Sequence, residues 1–168
     1  MKALVVYGSK RGGTQGLAEM LADALTDLGL QVTVRPAADR NRDLDSFDLV
    51  VVGGALHANV WHKDARRFVH RSAGWLSGKP VWFFSSGPLG EDAAEAAAVG
   101  PVGRVEDLMR SVGARGHRTF GGRLAADAKG FPAAAMAKRL AGDWRDPEEI
   151  RLWAKQIVSE IEESRDDH

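Results

Sequence analysis

Six residues near the start of the chain have the types and spacing to bind an anion. An apolar run at residues 3–7 is followed, after Gly8, by Ser9, Lys10, Arg11, Gly12, Gly13 and Thr14, and a helical pattern begins directly after them. Glycines let backbone N–H groups point inward, hydroxyls donate hydrogen bonds, and the N-terminus of a helix favours negative charge. The loop therefore predicts a phosphate-binding site.

Two common phosphate loops do not fit this segment. A P-loop needs G-x-x-x-x-G-K-[ST], but Thr14 stands where the lysine belongs. The dinucleotide pattern G-x-G-x-x-G fails because the glycines fall at positions 8, 12, 13 and 16. The segment Ser9–Gln15 then remains as a phosphate loop of another kind. The alternative is an ordinary strand–turn–helix connection in which Thr14 is the N-cap, and Lys10 and Arg11 either contact the phosphate or are solvated.

The elements that position this loop alternate along the chain. Apolar, β-branched runs at 3–7, 32–34, 49–52, 81–86 and 115–120 alternate with helical patterns at 15–28, 64–76 and 105–112, and Asp146 and Pro147 open a last helix. The pattern predicts a three-layer α/β/α sandwich with a five-stranded parallel sheet in the order 2-1-3-4-5. We expect a single domain over 1–163, with an extra segment at 121–145 and a frayed tail at 164–168.

Composition excludes several classes of function. Lys and Arg number 23, as do Asp and Glu, so no overall charge attracts nucleic acid. The chain has no cysteine, which excludes disulfides, thiolate metal sites and thiol nucleophiles. Met1 and Lys2 lead directly into the first strand, and no apolar run is long enough to span a membrane. We therefore expect a cytoplasmic protein without an integral membrane segment.

The segment S-K-R-G-G-T-Q at residues 9–15 resembles the phosphate loop of flavodoxins, [ST]-x-[ST]-G-x-[ST]. Ser9, Gly12 and Thr14 match this pattern, whereas Arg11 stands where the family usually has a hydroxyl. The resemblance implies FMN as the cofactor. A deazaflavin stays open, because the residues themselves indicate only a phosphate and a flat ring.

In flavodoxins, two further loops bind the flavin ring. The resemblance assigns this role, after the third strand, to Ala55, Leu56, His57, Ala58, Asn59 and Trp61. After the fourth strand it assigns it to Ser85, Ser86, Gly87, Pro88, Leu89 and Gly90, which is otherwise an ordinary surface turn. Because Asn tolerates left-handed backbone geometry, we expect the Ala58–Asn59 peptide near the flavin N5. Trp61 either stacks on the ring or, with His62, begins the next helix and packs on the protein.

Three segments are similar to the flavodoxin-domain group that includes menaquinone-dependent protoporphyrinogen IX dehydrogenase. They are VVVGGALHANVWHKDARRFV at 50–69, FGGRL at 120–124 and GDWRDPEEIRLWAKQI at 142–157. The resemblance implies an oxidoreductase that transfers electrons or hydride to a quinone- or porphyrinogen-like acceptor. The stretch 121–145 departs from that group, having fewer aromatic and basic residues, and predicts a short cover helix at about 133–141.

The charges of the predicted loops distinguish this chain from acidic electron carriers. The predicted loops contain the basic residues Lys10, Arg11, His57 and His62. Apart from Asp64, they contain no carboxylate before Glu91. Because cations stabilise a reduced, anionic flavin, we expect a higher potential for full reduction than in an electron carrier.

The sequence is also compatible with other functions. One is a non-catalytic electron carrier that serves a redox protein partner, and another is a flavodoxin-shaped domain that has lost its cofactor. A receiver domain is excluded because Tyr7-Gly8 and Gly53-Gly54 stand where it needs carboxylates. The sequence shows no catalytic acid–base set: we expect His57, His62, His70 and His117 mostly at the surface or at strand ends. It does not determine the oligomeric state.

Overall fold

The computed structural model describes residues 1–10, 12–40, 43–87, 101, 103–121, 123–124, 142–143 and 145–168. Four of the predicted site residues lie outside these ranges, namely Arg11, Pro88, Leu89 and Gly90. The cover helix expected at about 133–141 also lies outside the described residues.

The centre of the fold is a parallel sheet of five strands in the order β2-β1-β3-β5-β6. These strands are β1 Lys2–Gly8, β2 Gln31–Pro36, β3 Leu49–His57, β5 Val81–Ser86 and β6 Gly116–Phe120. The short β4, Val60–Trp61, extends β3 as an antiparallel hairpin, and β7 (Arg123–Leu124) pairs with β8 (Gly142–Asp143) in a separate sheet. Since β5 and β6 are the fourth and fifth predicted strands, the predicted strand order is confirmed.

The helices occupy both sides of this sheet. They are α1 Gly13–Asp27, α2 Lys63–Arg71, α3 Ala73–Leu76, α4 Gly103–Val112 and α5 Pro147–Asp166, with a short 3-10 turn at Leu44–Ser46. One apolar cluster joins the sheet to α1 and α5 through residues such as Leu17, Trp153 and Ile157. The other joins its opposite face to α2, α3 and α4 through Phe68, Leu76 and Val105. The predicted three-layer α/β/α sandwich is confirmed.

The helix ends follow the sequence signals. The Asp146 carboxylate accepts a hydrogen bond of 2.9 Å from the Glu148 N–H, with Pro147 in the first turn of α5. Gly29 and Gly113, which follow α1 and α4, have φ of +92° and +66°, as expected of glycines that end helices. The last helix runs to Asp166, so the first part of the tail expected to be frayed is helical.

Candidate functional site

The carboxyl ends of three adjacent strands bring the predicted loops together. In the strand register, Gly8 of β1 pairs with Gly54 of β3, and Gly54 pairs with Ser85 of β5. The loops that follow β1, β3 and β5 therefore begin at the same edge of the sheet, which is where ligands bind in open parallel sheets.

The first loop leads directly into the N-terminus of α1. Gly12 has φ of +79°, and its carbonyl accepts the first helical hydrogen bond, 3.0 Å from the Gly16 N–H. The first turn of α1 contains no carboxylate. Lys10 is exposed and Ser9 is half-buried. The N–H groups of the first helical turn and a nearby cation thus provide the donor set that binds a phosphate.

Thr14 connects this helix to β5. Its side chain is fully buried, and its hydroxyl donates a 2.8 Å hydrogen bond to the Ser86 Oγ. Because the N-cap of α1 is Gly12, Thr14 lies in the helix and the alternative interpretation of Thr14 as N-cap is wrong. The bond fixes the first turn of α1 against the end of β5.

The second loop is shorter than the sequence predicts because β3 continues to His57. His57 pairs with Val60 across a turn of only Ala58 and Asn59, whose φ angles are +48° and +61°. Positive φ at both central residues is what a type I′ hairpin turn requires. The expected left-handed geometry of Asn59 is present, and Ala58 shares it although alanine rarely adopts it.

The sequence predicts the end of this strand at Gly53 and Gly54. In the structure the two glycines instead leave space for aromatic rings that pack on the faces of the sheet. A Cβ atom built on Gly53 would overlap the Phe84 ring, and one on Gly54 would lie 2.5 Å from Cδ2 of Trp61. The two glycines are thus core packing positions. The loop proper consists of the exposed Ala58 and Asn59.

Trp61 belongs to the core beneath this hairpin. Its side chain is 1% exposed, and its ring centroid lies 4.8 Å from that of Phe83. Its indole N–H donates a 2.8 Å hydrogen bond to the Ser85 Oγ. Of the two sequence interpretations, packing on the protein describes Trp61, because so deeply buried a ring presents no free face for stacking.

Ser85 continues this chain of hydrogen bonds to His117 on β6. The Ser85 Oγ lies 2.8 Å from the His117 Nε2, and Ser85 is 1% exposed. Burial lowers the pKa of His117 to about 4, so its imidazole is neutral near pH 7. With Trp61 donating to the serine oxygen, the serine hydroxyl can donate in turn to a neutral imidazole. The sequence predicts His117 only as one of several scattered histidines. The register between β5 and β6, which brings it beside Ser85, is not visible in the sequence.

The third loop begins at Gly87 rather than at Ser85. Ser85 and Ser86 are the last residues of β5, and both side chains are buried. The Gly87 N–H donates to the Phe120 carbonyl at 3.0 Å, and Gly87 has φ of +120°, which favours glycine. The two serine side chains therefore support the site from within, and Gly87, which is half-buried, is the part of the predicted turn beyond β5 that the structure describes.

The residue after Trp61 caps the next helix. The His62 Nδ1 accepts a 3.3 Å hydrogen bond from the Asp64 N–H at the start of α2. Burial is the main cause that lowers the pKa of His62; Lys63, Lys10 and Arg66 add to the decrease, and Asp64 opposes it. Ala55 and Leu56 are half-buried in β3, and the Ala55 carbonyl accepts from the His62 N–H at 2.8 Å.

Metal binding and membrane spanning find no support in the described part of the chain. No group of His, Asp and Glu among those residues is arranged to hold a metal ion. Likewise, no helix within the described ranges is long and apolar enough to cross a membrane.

The sequence matches the flavodoxin domain family over residues 4–141, and the chain belongs to that family. The structure is similar to a flavodoxin from Streptococcus pneumoniae, with 19% identity, a TM-score of 0.62 and coverage of 95% of this chain and 99% of that one. It is also similar to oxidised flavodoxin 2 from Bacillus cereus, with 20% identity, a TM-score of 0.65 and coverage of 95% and 99%. At these identities the two structures establish the fold.

A curated relative has an enzymatic activity. Protoporphyrinogen IX dehydrogenase [quinone] from Escherichia coli K12 is 30% identical over 89 residues, which cover 51% of this chain and 48% of that protein. The chain thus spans about half the length of the curated relatives it matches.

Family membership and the flavodoxin structures indicate an electron-transfer flavoprotein that binds FMN. The residues present fit this cofactor. The loop before α1 combines a left-handed glycine, a helix N-terminus without carboxylates and an exposed lysine, which together suit a dianionic phosphate. The loops after β3 and β5 begin at the same sheet edge, where a ring attached to that phosphate would lie.

Proposed function

We propose that the protein is an FMN-dependent oxidoreductase that passes electrons or hydride to a quinone-like acceptor, with a porphyrinogen-like compound, which is already reduced, as an electron donor. The match to the E. coli dehydrogenase supports the acceptor class, although it covers only half of each chain. A cytoplasmic location remains a prediction from the sequence.

The positive charge around the start of α2 carries this proposal. Lys10, Lys63 and Arg66 all act on His62, against the single carboxylate of Asp64. Arg66 is also fixed in place, because its Nε–H donates to the Trp61 carbonyl at 3.0 Å. A cation close to a reduced, anionic flavin stabilises it by roughly 1 kcal/mol or more when partly buried. Such a site raises the potential of the flavin above the very low value found in an acidic carrier. A flavin of this kind is suited to delivering electrons to a quinone.

Each predicted segment then has a part in holding the cofactor. We assign the phosphate to residues 9–14 and the ring to residues 55–59 and 87–90, with Ser85 and Ser86 supporting the third loop from within the sheet. Bound FMN would supply the redox chemistry. The protein contributes N–H donors from α1, the exposed Ala58–Asn59 turn beside the ring, and a rigid base in which Trp61 and Ser85 hold the hairpin on the sheet.

The experiment is anaerobic stopped-flow reoxidation of the reduced holoprotein by menadione. We expect the protein to reduce menadione faster than free FMN at equal concentration, without any reductase. In a separate anaerobic assay, oxidised holoprotein supplied with excess menadione should convert protoporphyrinogen IX to fluorescent protoporphyrin, the electrons passing through FMN to the quinone, which tests a porphyrinogen as the electron donor. A rate no faster than free FMN, with transfer seen only through a protein partner, would instead identify an electron carrier.

Spectroelectrochemistry tests the charge argument separately. The potential for full reduction should exceed that of an electron-carrier flavodoxin measured alongside, and Lys10→Gln should lower it by roughly 20 mV. Lys155→Gln on the exposed face of α5 removes the same charge far along the helix and serves as the matched control. Equal shifts in both variants would show that Lys10 has no local effect on the flavin.

A further inference from the structure

The turn that we place beside the flavin ring has a backbone geometry that its own residues do not all favour. Ala58 has φ of +48°, and Asn59 has φ of +61°. The left-handed conformation is unfavourable for alanine, because its Cβ atom approaches a carbonyl oxygen. Such a residue keeps this conformation only where the surrounding structure determines it. The contacts that fix the hairpin to the sheet therefore also fix the geometry of this turn.

Trp61 is the main contact between the hairpin and the sheet. The returning strand β4 has only two residues, and Trp61 is the buried one. Its indole N–H donates to the Ser85 Oγ at 2.8 Å, and its ring packs on Phe83. Only Asn59 and Val60 separate Trp61 from Ala58, so a shift of the indole would be passed on to the turn.

Ser85 is held in place by a second partner. Its oxygen accepts the indole hydrogen, so its own hydrogen needs an acceptor elsewhere. Among the described residues that acceptor is the His117 Nε2, at 2.8 Å. The imidazole can accept near pH 7 because burial keeps it neutral, with a pKa of about 4. Without this acceptor the buried hydroxyl would rotate toward another group, and its oxygen would no longer face Trp61.

We infer that His117 is a positioning residue for the flavin ring. It orients the Ser85 hydroxyl, which in turn holds the indole at the base of the Ala58–Asn59 turn. His117 lies on β6, outside the three loops at the sheet edge, and acts without touching the cofactor. This inference rests on the proposed function, because it uses the assignment of that turn to the ring.

The first experiment replaces the imidazole with side chains that remove or keep the hydrogen-bond acceptor. Apoprotein is titrated near pH 7 with FMN and with riboflavin, which has the same ring but no phosphate, and dissociation constants are measured by fluorescence quenching. His117→Leu should weaken the binding of both flavins about fivefold, since one hydrogen bond is lost. His117→Gln places an amide oxygen near the position of the Nε2 and should restore both affinities to within about twofold of wild type.

Val112→Ala is the control for a general loss of stability. Val112 is 2% exposed and belongs to the apolar cluster on the same face of the sheet. It ends α4 near the opposite sheet edge, where the Arg115 N–H donates to the Val81 carbonyl at the start of β5. The loss of buried methyl groups should lower the melting temperature, but both flavin affinities should stay within about twofold of wild type.

A double-mutant cycle tests whether His117 acts through Ser85. In a Ser85→Ala background the imidazole has no hydroxyl to orient. His117→Leu should therefore cause no further loss of flavin affinity in that background, whereas it does so in the wild type. Losses that add would show that His117 affects the flavin by another route, and they would overturn the inference.

Four other results would also overturn it. They are wild-type affinities in His117→Leu, no recovery in His117→Gln, a loss confined to FMN, and an equal loss in Val112→Ala. A loss confined to FMN would place the effect at the phosphate, and an equal loss in the control would show a general structural role. All of these leave the proposed function standing. Wild-type apoprotein that binds neither flavin would instead remove the proposed function and this inference together.

Discussion

At the carboxyl edge of the sheet, adjacent serines of β5 make different kinds of polar contact on the two faces. On the face covered by α1 and α5, Ser86 has a hydroxyl–hydroxyl bond with Thr14. On the face covered by α2, α3 and α4, Ser85 lies between the Trp61 indole and the His117 imidazole. The first contact contains no titratable group and the second contains one. We therefore expect the Thr14–Ser86 contact to be insensitive to pH and the contacts beneath the hairpin to be sensitive to it.

The apolar packing of the two faces is alike. Each face packs an aromatic ring directly on a glycine of β3: Phe84 on Gly53 and Trp61 on Gly54. The contrast thus concerns hydrogen bonding and charge, not how tightly the faces are filled. Three predictions test this distinction.

The largest expected effect comes from filling the glycine positions. Gly53→Ala and Gly54→Ala should each lower the free energy of unfolding by about 3 kcal/mol, because the new methyl meets a ring with no space to move. Urea denaturation measures both. Gly74→Ala in α3 is the control, since a Cβ added there would have no atom within 4 Å, and should change stability by less than about 1 kcal/mol. A large loss on only one face would break the equivalence in packing.

The next effect is the pH dependence of the His117 face. The pKa of His117 is lowered by burial from 6.5 to about 4. Between these pH values the unfolded chain therefore binds a proton that the folded chain does not bind. The contribution of neutral His117 to the free energy of unfolding is present in full above pH 6.5. As the pH falls from 6.5 to 4, the free energy of unfolding decreases by up to about 3 kcal/mol. Protonation would also turn the Nε2 from acceptor to donor, so the Ser85 hydroxyl would need a new acceptor.

His117→Gln isolates this contribution, because glutamine keeps a polar group but does not titrate. Urea denaturation of the apoproteins between pH 7 and pH 4 should show a smaller loss of stability in the variant. The difference between the two curves excludes the carboxylates, which both proteins share. Parallel curves would show that His117 is not the source of the sensitivity.

The smallest effect comes from the serines themselves. Ser85→Ala should cost about 2 kcal/mol, since it leaves the buried Trp61 N–H without its acceptor. Ser86→Ala should cost about 1 kcal/mol, because it removes one hydrogen bond between two neutral hydroxyls. Only the cost of Ser85→Ala should change between pH 7 and pH 4, the range in which the folded protein begins to protonate His117. Denaturation curves at the two pH values decide this, and a pH-dependent cost in Ser86→Ala would contradict the contrast between the faces.

Much of the fold could be predicted because its signals are local. The apolar runs, the glycines that end α1 and α4, and the Asp146–Pro147 start of α5 are each contained in a few consecutive residues. The strand order and the three loops at one edge then followed from the alternation of strands and helices. These are features for which the nearest residues decide the structure.

The interior of the site could not be predicted because it depends on register between distant segments. Gly53 resembled the end of a strand, since the sequence does not show that the Phe84 ring fills the missing side-chain space. The Ser85–His117 contact joins residues 32 positions apart, and it exists only because Phe83 pairs with His117 across β5 and β6.

The alternation of Ser85 and Ser86 also limits where this protein can change in length. Successive residues of a strand point to opposite sides, so one amino acid inserted within β5 would exchange the two serines and direct each hydroxyl into the wrong layer. Insertion or deletion of a single residue within β5 would therefore disrupt both serine contacts. Changes in the length of the third loop are tolerated only beyond Gly87.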